Sequence, residues 1–144
     1  MEFHTNPDNY ITDIIGIGNA IVDVVFKTSD DFLSKHSLEK GSMKLISEEE
    51  AEMLYSEIDG SMETSGGSAA NTIAGIAQLG AKAGFIGRVK KDKLGDTFTA
   101  DIKSTGATFD TPAIVSGPST ARCLIFVTPD AERTMCTYLG ASVF

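Results

Sequence analysis

The sequence predicts an α/β fold with a largely parallel sheet. Short β-branched runs alternate with amphipathic helical stretches. Most helical stretches open on a recognisable capping signal. Several strand-like runs are short and continuously apolar, as strands buried on both faces are.

Residues 1–11 are polar and aperiodic and read as a loose arm. Asp13 to Val25 reads as two strands joined at a bend: Ile14, Ile15 and Ile17 form the first run, and Ile21, Val22, Val24, Val25 and Phe26 continue the second. Gly16 and Gly18 mark close backbone packing or a bend. Thr28-Ser29-Asp30-Asp31 brings capping oxygens and acidic residues to the positive end of a helix that should end near His36. Gly41 to Ile46 reads as a short strand. Ser47 with Glu50 makes a capping box. The helix it opens carries Ala51, Leu54, Tyr55 and Ile58 on one face and stops near Gly60.

A further helix follows Gly66-Gly67, with Ala70, Ile73, Ala74 and Ala77 as its apolar positions and Gly80 as its stop. Lys82 to Val89 predicts a strand centred on Phe85 and Ile86. Lys93 to Ser104 is amphipathic, with Leu94, Phe98 and Ile102 at four-residue steps and Gly106 as C-cap. A strand is expected around Thr108–Val115. Ala121 to Thr128 and Arg133 to Leu139 flank Pro129-Asp130-Ala131-Glu132 and read as a hairpin. The short additional strands do not fit inside a doubly wound sheet, and are expected to form a smaller second layer, a flap over the sheet edge.

With 144 residues, 42% apolar and 22% charged, the composition is that of one ordinary soluble domain. The net charge of −8 argues against a nucleic-acid surface. No apolar run is long enough to span a membrane. Two cysteines, Cys123 and Cys136, form neither a disulfide framework nor a zinc pattern, and predict a reduced, cytoplasmic protein. No residue set is assigned to a metal.

Two glycines at a helix start, in Ser65-Gly66-Gly67-Ser68-Ala69-Ala70-Asn71-Thr72, are costly in entropy for a purely structural helix. They let backbone N–H groups approach a ligand. Asn71 sits one turn in, with a carboxamide that both donates and accepts, which suits a polyhydroxylated ligand. The same residues would also make a loop with Ser68 as N-cap. Gly16-Ile17-Gly18-Asn19-Ala20-Ile21 is not a dinucleotide turn: its third position is Ile21, and the following residues are strand-like. Asn19 and Asp23, four apart, would share a face of a strand. A carboxylate there can accept from two vicinal hydroxyls.

Several ordered motifs resemble the ribokinase-like (PfkB) carbohydrate and nucleoside kinases. They are Gly18-Asn19-Ala20-Ile21-Val22-Asp23, Gly66-Gly67-Ser68-Ala69-Ala70-Asn71, and Gly87-Arg88-Val89-Lys90-Lys91-Asp92-Lys93-Leu94-Gly95. Thr120-Ala121-Arg122, Glu132-Arg133-Thr134 and Leu139-Gly140-Ala141 follow in the same order. Asp30-Asp31-Phe32-Leu33, the Asn19/Asp23 pairing and the Ile125–Arg133 hairpin resemble adenosine kinase-like members most, while ribokinases and fructokinases share the general pattern.

The resemblance implies that residues 1–144 are the N-terminal portion of one kinase domain, carrying the acceptor site and a small β-sheet lid of strands near 20–27, 42–46, 121–128 and 132–138. It implies that Asp23 accepts from sugar hydroxyls, that Gly67, Ser68 and Asn71 hold the ribose, and that Asn19 supports the site. Ile21, Cys123 and Leu139 would supply apolar lid contacts, although core packing would use Cys123 and Leu139 equally well. Arg133 would stabilise the transferring phosphate, or else stand solvated at the hairpin tip. Lids in some members pair across a dimer, so a homodimer is a further implication. ATP and Mg²⁺ are implied for the full-length kinase, but the family's Gly-Ala-Gly-Asp base motif and Asn-x-x-Glu metal motif do not occur here. This chain alone is therefore expected to hold neither and to be inactive, with an unfinished sheet leaving an open edge; the alternative is a non-enzymatic module that binds a sugar or nucleoside.

Overall fold

The computed structural model describes residues 12–144; the arm expected over residues 1–11 lies outside them. The elements run β1 (Ile14–Ile17), β2 (Ile21–Lys27), α1 (Asp30–Lys35), β3 (Met43–Leu45), α2 (Glu48–Ser56), β4 (Met62–Gly66), α3 (Ser68–Gln78), β5 (Ala83–Ile86), α4 (Lys93–Ser104), β6 (Ala121–Val127) and β7 (Arg133–Tyr138). A 3₁₀ turn over Gly140–Val143 follows.

The α/β class holds, with two sheets. β1 and β5 pair in parallel. The other strands form a five-stranded sheet in the order β3-β7-β6-β2-β4. Within it β2–β6 and β3–β7 are parallel, while β2–β4 and β6–β7 are antiparallel. The segments expected as a flap thus lie in one sheet, and β4 joins them.

Local chemistry explains most boundaries. Ser29 caps α1 by accepting from the Phe32 N–H, and Ser47 caps α2 through the Glu50 N–H. Asp92 caps α4 by accepting from the Gly95 N–H at 2.8 Å, and its other oxygen accepts from the Thr120 N–H at 2.9 Å. One end of the core is a trio of rings, Phe85, Phe98 and Phe109, with centroids 5.3–5.9 Å apart. On the helix-covered face of the large sheet, Val22, Val24, Leu124, Phe126 and Cys136 are buried. Arg122 is buried with them, its guanidinium 5.5 Å from the Tyr55 ring centroid and 5.8 Å from that of Tyr138, so it ties α2 to the sheet.

Two expectations fail. The strand expected around Thr108–Val115 is absent: Thr108 bridges Gly84 and Ile114 bridges Lys90, with no ladder between them. Pro112, which has no N–H, stands in the gap. Conversely β4 is a strand that the pattern does not announce. Its core-side residues are polar and are held by polar partners: Glu63 by Tyr55 and Lys93, Ser65 by Asp101. Among the described residues no helix is long and apolar enough to cross a membrane.

Candidate functional site

Cross-strand register sorts the open face of the large sheet into transverse rows. The first is Gly66–Ile21–Ala121, and the second is Thr64–Asp23–Cys123–Thr137–Leu45. The third, Met62–Val25–Ile125–Met135–Met43, is apolar throughout, and the fourth is Lys27–Val127–Arg133. Ile21, Asp23, Cys123 and Arg133 therefore share one face.

Asp23 is the polar centre of that face. A methyl group on Gly66 would lie 2.4 Å from its Cγ and Oδ2, so the carboxylate rests on bare glycine backbone. Burial raises the Asp23 pKa, and no hydrogen bond or neighbouring charge offsets it. An acceptor held half-buried and uncompensated is prepared for donors from a ligand.

The donors available locally are amides. Gly67, not Ser68, is the N-cap of α3, at φ +93°, and no side chain caps the helix. A Cβ at Gly67 would also stand 2.7 Å from the Asn19 carbonyl oxygen. The capping role open to Ser68 thus falls to a glycine, and the first-turn N–H groups of α3 meet no capping side chain beside Asp23. Ser68 and Asn71 are exposed on that turn.

Asn19 is placed differently from the strand-spacing argument. It lies before β2, in the short link from β1, and its side chain is exposed. Its backbone, rather than a shared strand face with Asp23, brings it to Gly67.

Cys123 is buried next to Asp23, and Thr137 Oγ1 donates to its Sγ at 3.3 Å. Burial pushes this thiol up, the Asp23 charge adds to that, and the Thr137 hydrogen bond partly opposes it. It is a small, neutral side chain at physiological pH. Leu139, just past β7, is half-buried and lines a hollow of about 410 Å³ with Leu45, Thr137, Val143 and Phe144. Arg133 is exposed at the opposite end of the face. Arg133 lies four strand positions from the row of Asp23, roughly 13 Å along the strands, so the fold does not bring it to the carboxylate.

Asp101 has no counterpart in the sequence reading. Its Oδ2 accepts from the Ser65 N–H at 2.6 Å and from Ser65 Oγ at 2.7 Å, anchoring the strand end from which Gly66-Gly67 departs. Asp101 stands on α4, far away in sequence, and only an acidic residue on a helix's sheet-facing side hints at it. Among the described residues no group of three or more His, Cys, Asp or Glu could hold a metal ion.

Residues 41–143 match the family model described as pfkB family carbohydrate kinase. The chain belongs to that family. Its fold superposes on the adenosine kinase from Sinorhizobium meliloti with a TM-score of 0.81 and 48% identity, covering 93% of this chain and 41% of that one. A probable sugar kinase from Rhizobium etli CFN 42 is similar to the same degree, with a TM-score of 0.81, 49% identity and coverage of 92% and 40%. Adenosine kinase 2 of Arabidopsis thaliana is 25% identical over 140 residues, which are 93% of this chain and 40% of that protein. This pfkB-family chain thus spans about two-fifths of the length of these relatives.

Proposed function

We propose that the chain is the acceptor-binding portion of an ATP-dependent kinase, of adenosine kinase type, whose full-length form phosphorylates a ribose or sugar hydroxymethyl group. The observation that supports this most is the Asp23 carboxylate lying bare against Gly66 beside the uncapped start of α3. Vicinal hydroxyls donate to Asp23, while the N–H groups of α3 and the Ser68 and Asn71 side chains meet the sugar oxygens. Asn19 holds the turn through its backbone. Ile21, Cys123 and Leu139 supply apolar contact. Arg133 acts on the transferring phosphate once the sheet closes as a lid over the ligand.

The family implies ATP and Mg²⁺ for the full-length enzyme, but the groups here fit neither. One carboxylate and a set of helix-start amides suit a neutral polyol, and the sequence carries no Gly-Ala-Gly-Asp turn. The 144-residue chain therefore binds acceptor without phosphorylating it. Calorimetry with adenosine, ribose and fructose tests this. Adenosine should bind best, and Asp23→Ala should remove the heat. Equal binding by Asp23→Ala, or ATP-dependent phosphorylation by the chain, would refute the reading.

The apolar third row supports a second reading of the same sheet, as a face on which two copies pair. Met62 and Met43 at its ends are 62% and 59% exposed. Light scattering that finds only monomer would dismiss it.

A further inference from the structure

Helix α4 brings two aspartates to two different strands of the large sheet. At its start Asp92 caps the helix through the Gly95 N–H, but the same carboxylate also holds Thr120. Oδ1 accepts from the Thr120 hydroxyl at 2.7 Å, and Oδ2 accepts from the Thr120 N–H at 2.9 Å. Thr120 is fully buried and leads directly into β6. Its hydroxyl in turn accepts from the Lys90 N–H at 2.9 Å. Nine positions on, Asp101 holds the Ser65 N–H and hydroxyl, one residue before Gly66 ends β4. β6 and β4 are the two neighbours of β2. The helix rises roughly 13 Å between the two aspartates, and two strand spacings span roughly 10 Å, so one straight helix reaches both strands. Phe98, fully buried between the anchors, packs on Phe85 of β5 and on Phe109, which fixes α4 to the smaller sheet.

A cap alone does not need this arrangement. Serine would cap α4 with a single oxygen, whereas the second oxygen of Asp92 goes to a strand. What the two gripped strands share is β2 between them. On β2, Asp23 lies against Gly66 of β4 and beside Cys123 of β6. The slot that holds the Asp23 carboxylate is therefore bounded by the two strands that α4 anchors. We infer that Asp92 and Asp101 are a pair of positioning residues. Through α4 they fix the gap between β6 and β4, and so keep Asp23 facing the acceptor. Neither touches the ligand. Their effect on binding rests on the acceptor reading of Asp23, while their grip on the slot is a property of the fold alone. The two anchors act in series, because freeing either strand opens the slot.

Asp92→Ser keeps a capping oxygen but is too short to hold Thr120, and Asp101→Ala frees Ser65. In adenosine calorimetry on the 144-residue chain, each should weaken binding about tenfold, the size of one lost hydrogen bond to a charged group. The double variant should also lose about tenfold, and not about a hundredfold, because the anchors act in series. Thr120→Ser retains the hydroxyl and should bind as the wild type does. Thr120→Val releases the β6 anchor with Asp92 intact and should repeat the Asp92→Ser result. The readout that needs no ligand is the Asp23 carboxyl resonance in carbon-13 NMR, followed through its titration. Burial raises its pKa in the wild type, and of its row neighbours Thr64 and Cys123 only the thiol titrates. In Asp92→Ser and in Asp101→Ala the value should fall back toward 3.8. A hundredfold loss in the double variant, wild-type binding by Thr120→Val, or an Asp23 titration unchanged in either single variant would each overturn the inference. A wild type that binds no adenosine would sink the acceptor reading, and the carboxyl titration would still decide whether α4 holds Asp23.

Discussion

Gly66→Ala tests whether the Asp23 carboxylate sits where the sheet geometry places it. The new Cβ would stand 2.4 Å from Asp23 Cγ and Oδ2, a full ångström inside ordinary contact. Gly66 lies in β4 with an ordinary φ, so backbone strain plays no part. Something must move, and the mobile neighbour is the carboxylate. Turning Asp23 away from its preferred rotamer costs about 0.5–1.5 kcal/mol. Alanine also stiffens the unfolded chain, which returns about 0.4–1 kcal/mol. The net loss of stability should be small, at most about 1 kcal/mol, or roughly 3 °C for a domain of this size.

Binding should suffer more. The rotated carboxylate no longer faces the vicinal hydroxyls of the acceptor, and a hydrogen bond to a charged group is worth about 1.5–3 kcal/mol. Affinity for adenosine should therefore fall by roughly ten- to a hundredfold. Urea unfolding and calorimetry on the wild type, Gly66→Ala, Asp23→Ala and the double variant close the cycle. Once Asp23 is already alanine, Gly66→Ala should be neutral or slightly stabilising and should weaken binding no further. Additive losses in stability would refute the contact itself, and unchanged affinity in Gly66→Ala would refute its link to the ligand.

The remaining predictions address the same neighbourhood. Because burial raises the Asp23 pKa above 3.8, the ionised form destabilises the fold, and this side chain's contribution is lost as pH rises through the raised value. Asp23→Asn should therefore be more stable than wild type to urea at pH 7, with the difference closing toward pH 4; a constant difference would contradict the assignment. Acceptor affinity of the wild type should fall on acidification through the same range, as calorimetry across pH would show. Asp101→Ala should lose about 2 kcal/mol and speed amide exchange at Ser65 and Gly66, since both hydrogen bonds to Ser65 go. Burial pushes the Cys136 thiol up to about 11, so it should resist thiol reagents at pH 8 until the chain is unfolded in denaturant.

What was legible in the sequence was local. Ser29 and Ser47 cap their helices as read, because a capping bond spans only three residues. Isolated apolar runs gave β1, β2 and β5 for the same reason. β4 escaped because its pattern carries no hydrophobic alternation: its polar side chains are satisfied by Tyr55, Lys93 and Asp101, partners that no window of adjacent residues contains. Thr108–Val115 misled because β-rich composition does not supply a ladder partner. Asn19 misled because strand periodicity was extended across a link that is not strand.

The candidate site depends on register, which composition does not encode. Asp23 meets Cys123 because β2 and β6 run parallel in one alignment, although the two stand one hundred positions apart in the sequence. A slip of one residue would turn Asp23 into the core and Val22 or Val24 out to solvent. The buried row of Val22, Val24, Leu124 and Phe126 prevents that slip, so the hydrophobic face fixes the polar one. The two adjacent glycines then have separate reasons to be there. Gly67 must adopt a positive φ and pass close to the Asn19 carbonyl. Gly66 must leave room for the carboxylate across the strand. The sequence motif points to the turn, but only the pairing of Ile21 with Gly66 explains why the turn needs a glycine before its cap.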